Sequence, residues 1–161
     1  MQSKLEFVQT IKQHQGIIYK VVRVYEAKAE DQKDLYQEIV YQLWKSFSSF
    51  QGKSKMSTWI YRVALNTAIA HLNKSKRLDK RVEMDFSQLN IAEERDPLLE
   101  ERMALMYEHI YKLDVIEKGL ILLYLEGKNY EEIAKITGFT KTNVGTRLGR
   151  IKEKIRNNVI K

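Results

Sequence analysis

The sequence predicts an all-α protein built from two small helical domains joined by a flexible acidic linker. Strand signals and glycine are scarce, and the only proline is Pro97. Apolar residues recur at intervals of three and four over long stretches, which is the period of a helix buried on one face. After Leu78 this pattern gives way to a polar and increasingly acidic stretch. We therefore expect domains at residues 1–78 and 98–161, with a linker at 79–97.

The helix boundaries follow from capping residues and from where the apolar period starts and stops. In the N-terminal half, Asp31 precedes a run in which Leu35, Ile39, Leu43 and Phe47 form one apolar stripe. The expected helices, in chain order, are Leu5–Glu26, Asp31–Ser46, Met56–Lys76, Leu98–Leu113, Asp114–Leu125, Asn129–Ile136 and Thr140–Asn157.

Two helix starts in the C-terminal half carry a reciprocal cap, in which a polar side chain precedes a glutamate by three residues. Asp114 stands three residues before Glu117, and Asn129 stands three residues before Glu132. The glutamates also lie in the first helical turn, where the helix dipole favours negative charge. Chemistry as well as periodicity therefore predicts these two starts.

The segment Asn129–Arg156 predicts two short helices that cross at a tight turn, a helix-turn-helix. Ala134 is small where the helices approach, Gly138 suits a left-handed turn residue, and Thr140 can cap the second helix. A solvated amphipathic hairpin is the alternative. It explains the apolar positions but not why the alanine, the glycine and the cap occur together.

The second helix of this motif has its apolar residues on one side. Val144, Leu148, Ile151 and Ile155 form a stripe with the period of a half-buried helix. The residues turned outward are Thr142, Asn143, Thr146, Gly149 and Arg150, with Arg147 on the flank. A polar, basic and exposed second helix is the element that a DNA major groove accommodates.

The chain of 161 residues is basic, with a net charge of +7 and a pI near 9.4. Residues 1–81 carry 15 basic against 7 acidic side chains, residues 82–113 carry 3 against 8, and residues 114–161 carry 10 against 6. Charge alone is compatible with nucleic acid or with a membrane surface. Two basic modules that flank an acidic segment favour nucleic acid.

No targeting or membrane segment is predicted. No apolar run approaches the roughly 18 residues that span a bilayer, and the N-terminal residues lack the apolar stretch of a signal peptide. We therefore expect an intracellular protein without membrane insertion.

The residues do not favour an enzyme. Cysteine is absent, which excludes disulfides, thiolate zinc sites and a cysteine nucleophile. His14, His71 and His109 are far apart, with no metal-ligand spacing and no nucleophile nearby, and the chain has no phosphate-binding glycine loop. We therefore expect no catalytic residue, no metal and no cofactor.

A loop and a helix in the N-terminal domain combine aromatic and basic residues, a mixture that suits unpaired nucleic acid. Phe50, Trp59 and Tyr61 are candidate stacking residues, although aromatic residues on helices, such as Trp59, more often belong to a core. The candidate phosphate contacts, each equally compatible with a solvated side chain, are Lys53, Lys55, Lys74, Lys76 and Arg77.

Both domains resemble one protein family. Region 2 of the extracytoplasmic-function sigma factors of bacterial RNA polymerase is similar to the run DQKDLYQEIVYQLWKSFSSFQGKSKMSTWIYRVALNTAIAHLNKSKR. Region 4 of these factors is similar to LILLYLEGKNYEEIAKITGFTKTNVGTRLGRIKEKIR. The resemblance implies a sigma factor, which binds core RNA polymerase, directs it to specific promoters and helps to open the DNA in the bacterial cytoplasm.

The resemblance also implies where the polymerase binds. In such factors an Asp-Leu-x-Gln-Glu helix binds the clamp of the largest polymerase subunit, and the matching residues here are Asp34, Leu35, Gln37 and Glu38. Asp34 and Glu38 are four residues apart and therefore share one helix face. A solvated face is the alternative. The family further implies the polymerase flap as a partner of the C-terminal domain, promoter DNA, and an anti-sigma factor that the residues do not identify.

For the downstream promoter element, the resemblance implies that the loop Phe47–Lys55 captures a flipped base. The helix after this loop then faces the opened strand. The candidate residues for this element and for melting are Phe50, Lys53, Ser54, Lys55, Trp59, Arg62, Asn66, Lys74, Lys76 and Arg77.

The resemblance assigns Thr140–Arg150 to the helix that recognises the upstream element. The candidates for base edges are Thr142, Asn143, Thr146 and Arg150, and those for phosphates are Lys141, Arg147 and Lys152. Gly145 and Gly149 stand where the family usually has larger, often basic side chains. Either fewer side chains recognise the element here, or the bare face lets the backbone approach the duplex.

Two other functions remain open on the sequence. A free-standing helix-turn-helix regulator would bind duplex DNA without core polymerase, usually as a dimer. It would need neither the Asp-Leu-x-Gln-Glu helix nor the aromatic and basic loop. A polymerase-binding adaptor without promoter specificity is the other alternative. The linker is either a solvated tether or an acidic segment that occupies a basic channel of the polymerase.

Overall fold

The structure, a computed structural model, describes residues 4–73 and 96–160, with side chains to residue 158. Within these residues it contains helices and no strand, which confirms the all-α class. The helices are α1 (Lys4–Tyr25), α2 (Ala29–Phe47), α3 (Met56–Asn73), α4 (Pro97–Tyr111), α5 (Val115–Leu125), α6 (Tyr130–Thr137) and α7 (Lys141–Ile160). Each corresponds to one predicted helix. The predicted end of the third helix, at Lys76, lies outside the described residues.

The chain divides into two compact units, Met1–Ala92 and Glu93–Lys161. The predicted linker falls almost entirely outside the described residues, so its N-terminal boundary stays a prediction. Pro97 was assigned to that linker, but it is the first residue of α4. The Asp96 side chain caps this helix through a 3.0 Å bond from the Leu98 backbone N–H, and proline is favoured at a first helical position because its missing N–H would have no partner there.

In the first unit α1, α2 and α3 each pack against the other two. The predicted stripe of α2 is the centre of this core, because Leu35, Ile39 and Leu43 are fully buried. Helix α2 begins two residues before the predicted start at Asp31. Lys28 occupies the cap position without a capping side-chain bond, and Asp31 lies in the first turn, where the dipole stabilises it.

In the second unit α7 contacts α4, α5 and α6. Both predicted reciprocal caps are present: the Asp114 side chain accepts from the Glu117 backbone N–H at 2.8 Å, and Asn129 does the same for Glu132 at 2.8 Å. In turn, each glutamate carboxylate accepts a 3.1 Å hydrogen bond from the backbone N–H of its capping residue. These bonds satisfy N–H groups that would otherwise have no partner within the helix.

Helices α6 and α7 form the predicted helix-turn-helix. Gly138 ends α6 in the left-handed conformation, with φ +85°, and its N–H bonds the Ala134 carbonyl. The Thr140 hydroxyl then accepts a 3.1 Å bond from the Asn143 backbone N–H and caps α7. Val144, Leu148 and Ile151 are buried, whereas Ile155, the last residue of the predicted stripe, is half-buried.

Candidate nucleic-acid interface

The polar face of α7 is turned to solvent, as the stripe predicted. Five of its positions are exposed, namely Lys141, Thr142, Thr146, Gly149 and Arg150. The other three candidates, Asn143, Arg147 and Lys152, are half-buried because each contacts a neighbouring side chain. The face therefore has two kinds of residue: solvated side chains, and side chains held in place by the fold.

Arg147 belongs to the second kind. Its Nε–H donates a 3.1 Å hydrogen bond to Oδ1 of Asn143, one helical turn earlier. Its guanidinium carbon lies 4.5 Å from the centre of the Phe139 ring, which is the geometry of a cation–π contact. Sequence reasoning treated Arg147 and Asn143 as independent contacts, one to phosphate and one to a base. In the structure they are hydrogen-bonded to each other.

Lys152 is held by another helix. Its ammonium lies 4.0 Å from the centre of the Tyr124 ring on α5, and two residues further on Lys154 donates a 2.7 Å bond to Glu117 at the start of α5. The bond to the Glu117 carboxylate raises the pKa of the Lys154 ammonium. These two lysines fasten α7 to α5, an arrangement that the sequence did not indicate.

The two glycines of α7 have different surroundings. A Cβ on Gly145 would lie 3.2 Å from Cε2 of Tyr130, so this glycine allows α6 and α7 to approach closely. A Cβ on Gly149 would meet nothing within 4 Å. Helix packing therefore accounts for Gly145, an explanation that was not considered on the sequence. Of these two positions, only Gly149 leaves a bare place on the outward face.

The loop between α2 and α3 presents basic side chains around an aromatic pair. Lys53 and Lys55 are exposed, and Gly52 turns the chain with φ +72°. The half-buried Phe50 ring lies 5.0 Å from the ring of Trp59, measured between centroids. Trp59 itself is only 8% exposed. The loop thus offers Phe50 at the surface with Trp59 packed beside it.

Two candidate stacking residues, Trp59 and Tyr61, are corrected, because both lie in the core. Tyr61 is 2% exposed, so its ring belongs to the core and presents no face to a base. Arg62 and Asn66, on the same helix, are half-buried and exposed respectively. Three further candidates lie outside the described residues: Lys74, Lys76 and Arg77.

A shallow polar groove adjoins the loop, between the C-terminal end of α2 and α3, with a volume of about 400 Å³. It includes the predicted Asn66, together with residues that sequence reasoning missed. Those residues are Gln42, Lys45, Ser46, Ser49, Val63 and Thr67. The α2 members, Gln42, Lys45 and Ser46, stand three and four residues apart beside the Leu35 to Phe47 stripe, and this polar spacing was the signal that would have found them.

The start of α2 carries the predicted polymerase-binding residues on different sides. Asp34 and Gln37 are exposed, and Glu38 is half-buried. Leu35 is fully buried, so its place in the polymerase-contacting set is corrected: the side chain packs in the core and orients the helix rather than meeting a partner. The surface available on this face therefore centres on Asp34 and Gln37.

In the part of the chain that the structure describes, no three histidine, aspartate or glutamate side chains converge as metal ligands. No helix among those residues has the length and apolar character that a bilayer crossing requires.

Comparisons with known proteins agree with this geometry. Residues 10–78 match Sigma-70 region 2, and residues 112–155 match Sigma-70 region 4. The ECF RNA polymerase sigma-E factor of Escherichia coli strain K12 is 30% identical over an alignment of 141 residues, and the match covers 80% of this chain and 74% of that protein. Region 2 therefore precedes region 4 along the chain.

Two solved structures share the fold. CnrH, in complex with the cytosolic domain of CnrY, aligns with a TM-score of 0.70 at 17% identity, over 98% of this chain and 89% of CnrH. The sigma factor RpoE of Bartonella quintana, in complex with the anti-sigma factor NepR, aligns with a TM-score of 0.66 at 16% identity, over 94% and 95% of the two chains. The chain belongs to the extracytoplasmic-function sigma factors, the subunits that bind core RNA polymerase and direct it to specific promoters for transcription initiation.

Proposed function

We propose that this sigma factor divides its work among three surfaces: the start of α2 for the polymerase clamp, the α2–α3 loop for the downstream element, and α7 for the upstream element. The observation that carries the proposal is the outward polar face of α7 on a fixed helix-turn-helix, in a chain whose other unit presents aromatic and basic residues on a loop. Duplex DNA and unpaired bases require these two different chemistries.

The experiment that tests the function as a whole is transcription with purified core polymerase. A sigma factor supports transcription only with core and only from promoters that carry both elements. A free-standing regulator binds duplex DNA without core, and an adaptor stimulates transcription without promoter preference. Sequence-specific duplex binding by the isolated chain at physiological salt, unaffected by core, would contradict the proposal.

The polymerase-binding surface centres on Asp34, which is exposed on α2 and four residues before Glu38. Reversing the charge in Asp34→Lys should weaken core binding and leave the fold intact, because an exposed charge contributes at most ~1 kcal/mol to stability. Glu6→Lys changes the net charge equally on a different helix and is the matched control. Equal core affinity of the two variants would rule out the assignment. The polymerase flap is the proposed partner of the C-terminal unit.

The downstream surface is the loop with its neighbouring groove, where Phe50 stacks on an unpaired base while Lys53 and Lys55 hold phosphates. Replacing the loop 48–55 with that of another family member should change the preferred downstream base and spare the upstream preference. Promoter opening, followed with a fluorescent base analogue, should slow in Lys53→Gln and Lys55→Gln but not in Lys12→Gln, an exposed lysine on α1. An unchanged base preference after the loop exchange would contradict this role.

The upstream surface is the N-terminal half of α7, where Thr142 and Thr146 are exposed toward the groove and Lys141 lies at its edge. Removing a phosphate contact in Lys141→Gln should weaken binding to all sequences and reduce the salt slope by about one unit. Thr146→Ala should instead relax preference at one base pair. If neither variant alters the dependence on the upstream element, α7 does not recognise it.

The remaining proposals concern the protein's setting. It acts in the bacterial cytoplasm, where the polymerase is, and it carries no catalytic residue of its own. An anti-sigma factor is a further proposed partner, supported by the complex of the related sigma factor RpoE with NepR. Co-purification of the chain from its own cells tests this proposal, and recovery with core polymerase alone would oppose it.

A further inference from the structure

Asn143, Arg147 and Phe139 form a connected cluster at the start of α7. Arg147 bonds Oδ1 of Asn143 at 3.1 Å, and its guanidinium lies 4.5 Å from the centre of the Phe139 ring. The turn defines the backbone position of Phe139, because Gly138 takes its left-handed conformation immediately before it. The Phe139 backbone N–H also bonds the Thr137 hydroxyl at 3.3 Å. The ring therefore has a defined place from which to hold the guanidinium.

The contact with Arg147 determines which end of the Asn143 amide is available. A guanidinium only donates hydrogen bonds, so it engages the carboxamide oxygen and never the NH2 group. Among the described residues no second bond occupies the Asn143 side chain. Asn143 also lies in the first turn of α7, the part of a recognition helix that contacts base edges. The group free to enter a groove is then the NH2, a donor.

We propose that Arg147 and Phe139 are positioning residues that hold Asn143 as a hydrogen-bond donor, so that it selects an acceptor edge in the upstream element. The inference rests on the proposed function of α7. In the major groove guanine presents two acceptors, thymine one acceptor and a methyl group, adenine one acceptor beside a donor, and cytosine only a donor. Adenine is normally paired by asparagine through both amide ends, and here the Arg147 bond occupies one of the two lone pairs of the oxygen and fixes its direction, which weakens that paired contact. Guanine is therefore preferred at this position, and adenine and cytosine are disfavoured.

Arg147 is also a candidate phosphate contact. A substitution that keeps its charge distinguishes a phosphate contact from the positioning of Asn143. Arg147→Lys retains a cation for phosphate but loses the planar guanidinium that spans Phe139 and Asn143. Phe139→Leu retains an apolar side chain at the turn and removes only the ring face. Arg156→Lys is the matched control, since Arg156 is exposed near the end of α7 and contacts Glu153.

The experiment measures open-complex formation by holoenzyme on a promoter set with all four bases at every position of the upstream element. Asn143→Ala identifies the position it contacts, where preference should flatten. At that position Arg147→Lys and Phe139→Leu should each raise adenine relative to guanine by about tenfold, within the range of one bidentate contact. Preferences elsewhere should not change, and Arg156→Lys should match the parent chain. In the double variant Asn143→Ala with Arg147→Lys, the second substitution should add no further change.

Two results would overturn the inference alone. One is a flattened preference in Asn143→Ala with an unchanged profile in both Arg147→Lys and Phe139→Leu, which would make Arg147 a phosphate contact only. The other is no change in Asn143→Ala while the holoenzyme still depends on the upstream element. A parent holoenzyme indifferent to that element would instead overturn the proposed function of α7 together with the inference.

Discussion

The two glycines of α7 allow a matched test of how helices α6 and α7 pack. Both lie inside the helix, where alanine is more favourable than glycine by about 1 kcal/mol because it restricts the unfolded chain. Gly149→Ala meets open space, so the full gain is expected. In a unit of this size, ~1 kcal/mol moves the midpoint of thermal unfolding by roughly 4–8 °C.

Gly145→Ala should gain the same ~1 kcal/mol of helix stability, but its added Cβ would lie 3.2 Å from the Tyr130 ring. Overpacking a contact costs ~1–3 kcal/mol, and the lower end applies because Tyr130 is half-buried and its ring needs to shift by only a few tenths of an ångström. The net effect of Gly145→Ala should then be close to zero. The two variants should differ by about 1 kcal/mol, and that difference measures the packing term.

Hydrogen exchange of the α6 and α7 amides measures this difference locally, with thermal unfolding by circular dichroism as a second observable. Gly16→Ala is the control, since Gly16 lies in α1 and its added Cβ would also meet open space. It should protect α1 amides and leave α7 unchanged. Equal stabilisation by Gly145→Ala and Gly149→Ala would refute the close approach of Tyr130. No stabilisation by Gly149→Ala would refute the assumed helical gain.

The turn at Gly138, the cap of α6 and the buried Tyr36 each contribute to the stability of the fold. Gly138→Ala should destabilise the C-terminal unit by ~1–2 kcal/mol, measured by thermal unfolding, because the left-handed backbone disfavours a Cβ even where space is open. Asn129→Ala should cost ~1 kcal/mol by loss of the α6 cap, and Asn129→Asp should retain the cap, as urea titrations at neutral pH will test. Burial raises the pKa of the Tyr36 hydroxyl from 10.0 to about 12. As pH rises, the unfolded chain therefore loses this proton before the folded chain does, and the free energy of unfolding falls between pH 10 and 12. Tyr36→Phe should reduce that fall, and an identical pH dependence in urea titrations at pH 9 and 11 would contradict it.

The parts of the fold that the sequence predicted correctly depend on neighbours along the chain. The Asn129 and Asp114 caps act over three residues, and the α7 stripe repeats every three or four, so both are visible in the printed sequence. The packing of Gly145 on Tyr130 is tertiary and was not visible. Contacts across helices or turns have no fixed sequence spacing, which is why they required coordinates.

In the candidate site, too, features set by neighbours along the chain were predicted and tertiary contacts were not. The outward face of α7 followed from its stripe, and the exposure of Lys53 and Lys55 followed from their place in a polar loop. The role of Phe139 did not, because an aromatic residue in a turn gives no sign of which cation it will meet. Leu35 was misassigned for the opposite reason: its family position suggested a contact surface, while its stripe position required burial.

The packing of Phe50 on Trp59 gives the first unit an intrinsic optical probe. Trp59 is 8% exposed beneath the loop, and Phe50 lies 5.0 Å from it between ring centroids. Any event that draws Phe50 onto a base must uncover one face of the indole or replace its neighbour, and either change alters the emission of Trp59. The other tryptophan, Trp44, contacts Phe7 at 5.1 Å and can be replaced by phenylalanine to leave a single emitter. Stopped-flow fluorescence of a Trp44→Phe chain mixed with single-stranded DNA of the downstream element would then time loop engagement directly, without a label on protein or DNA.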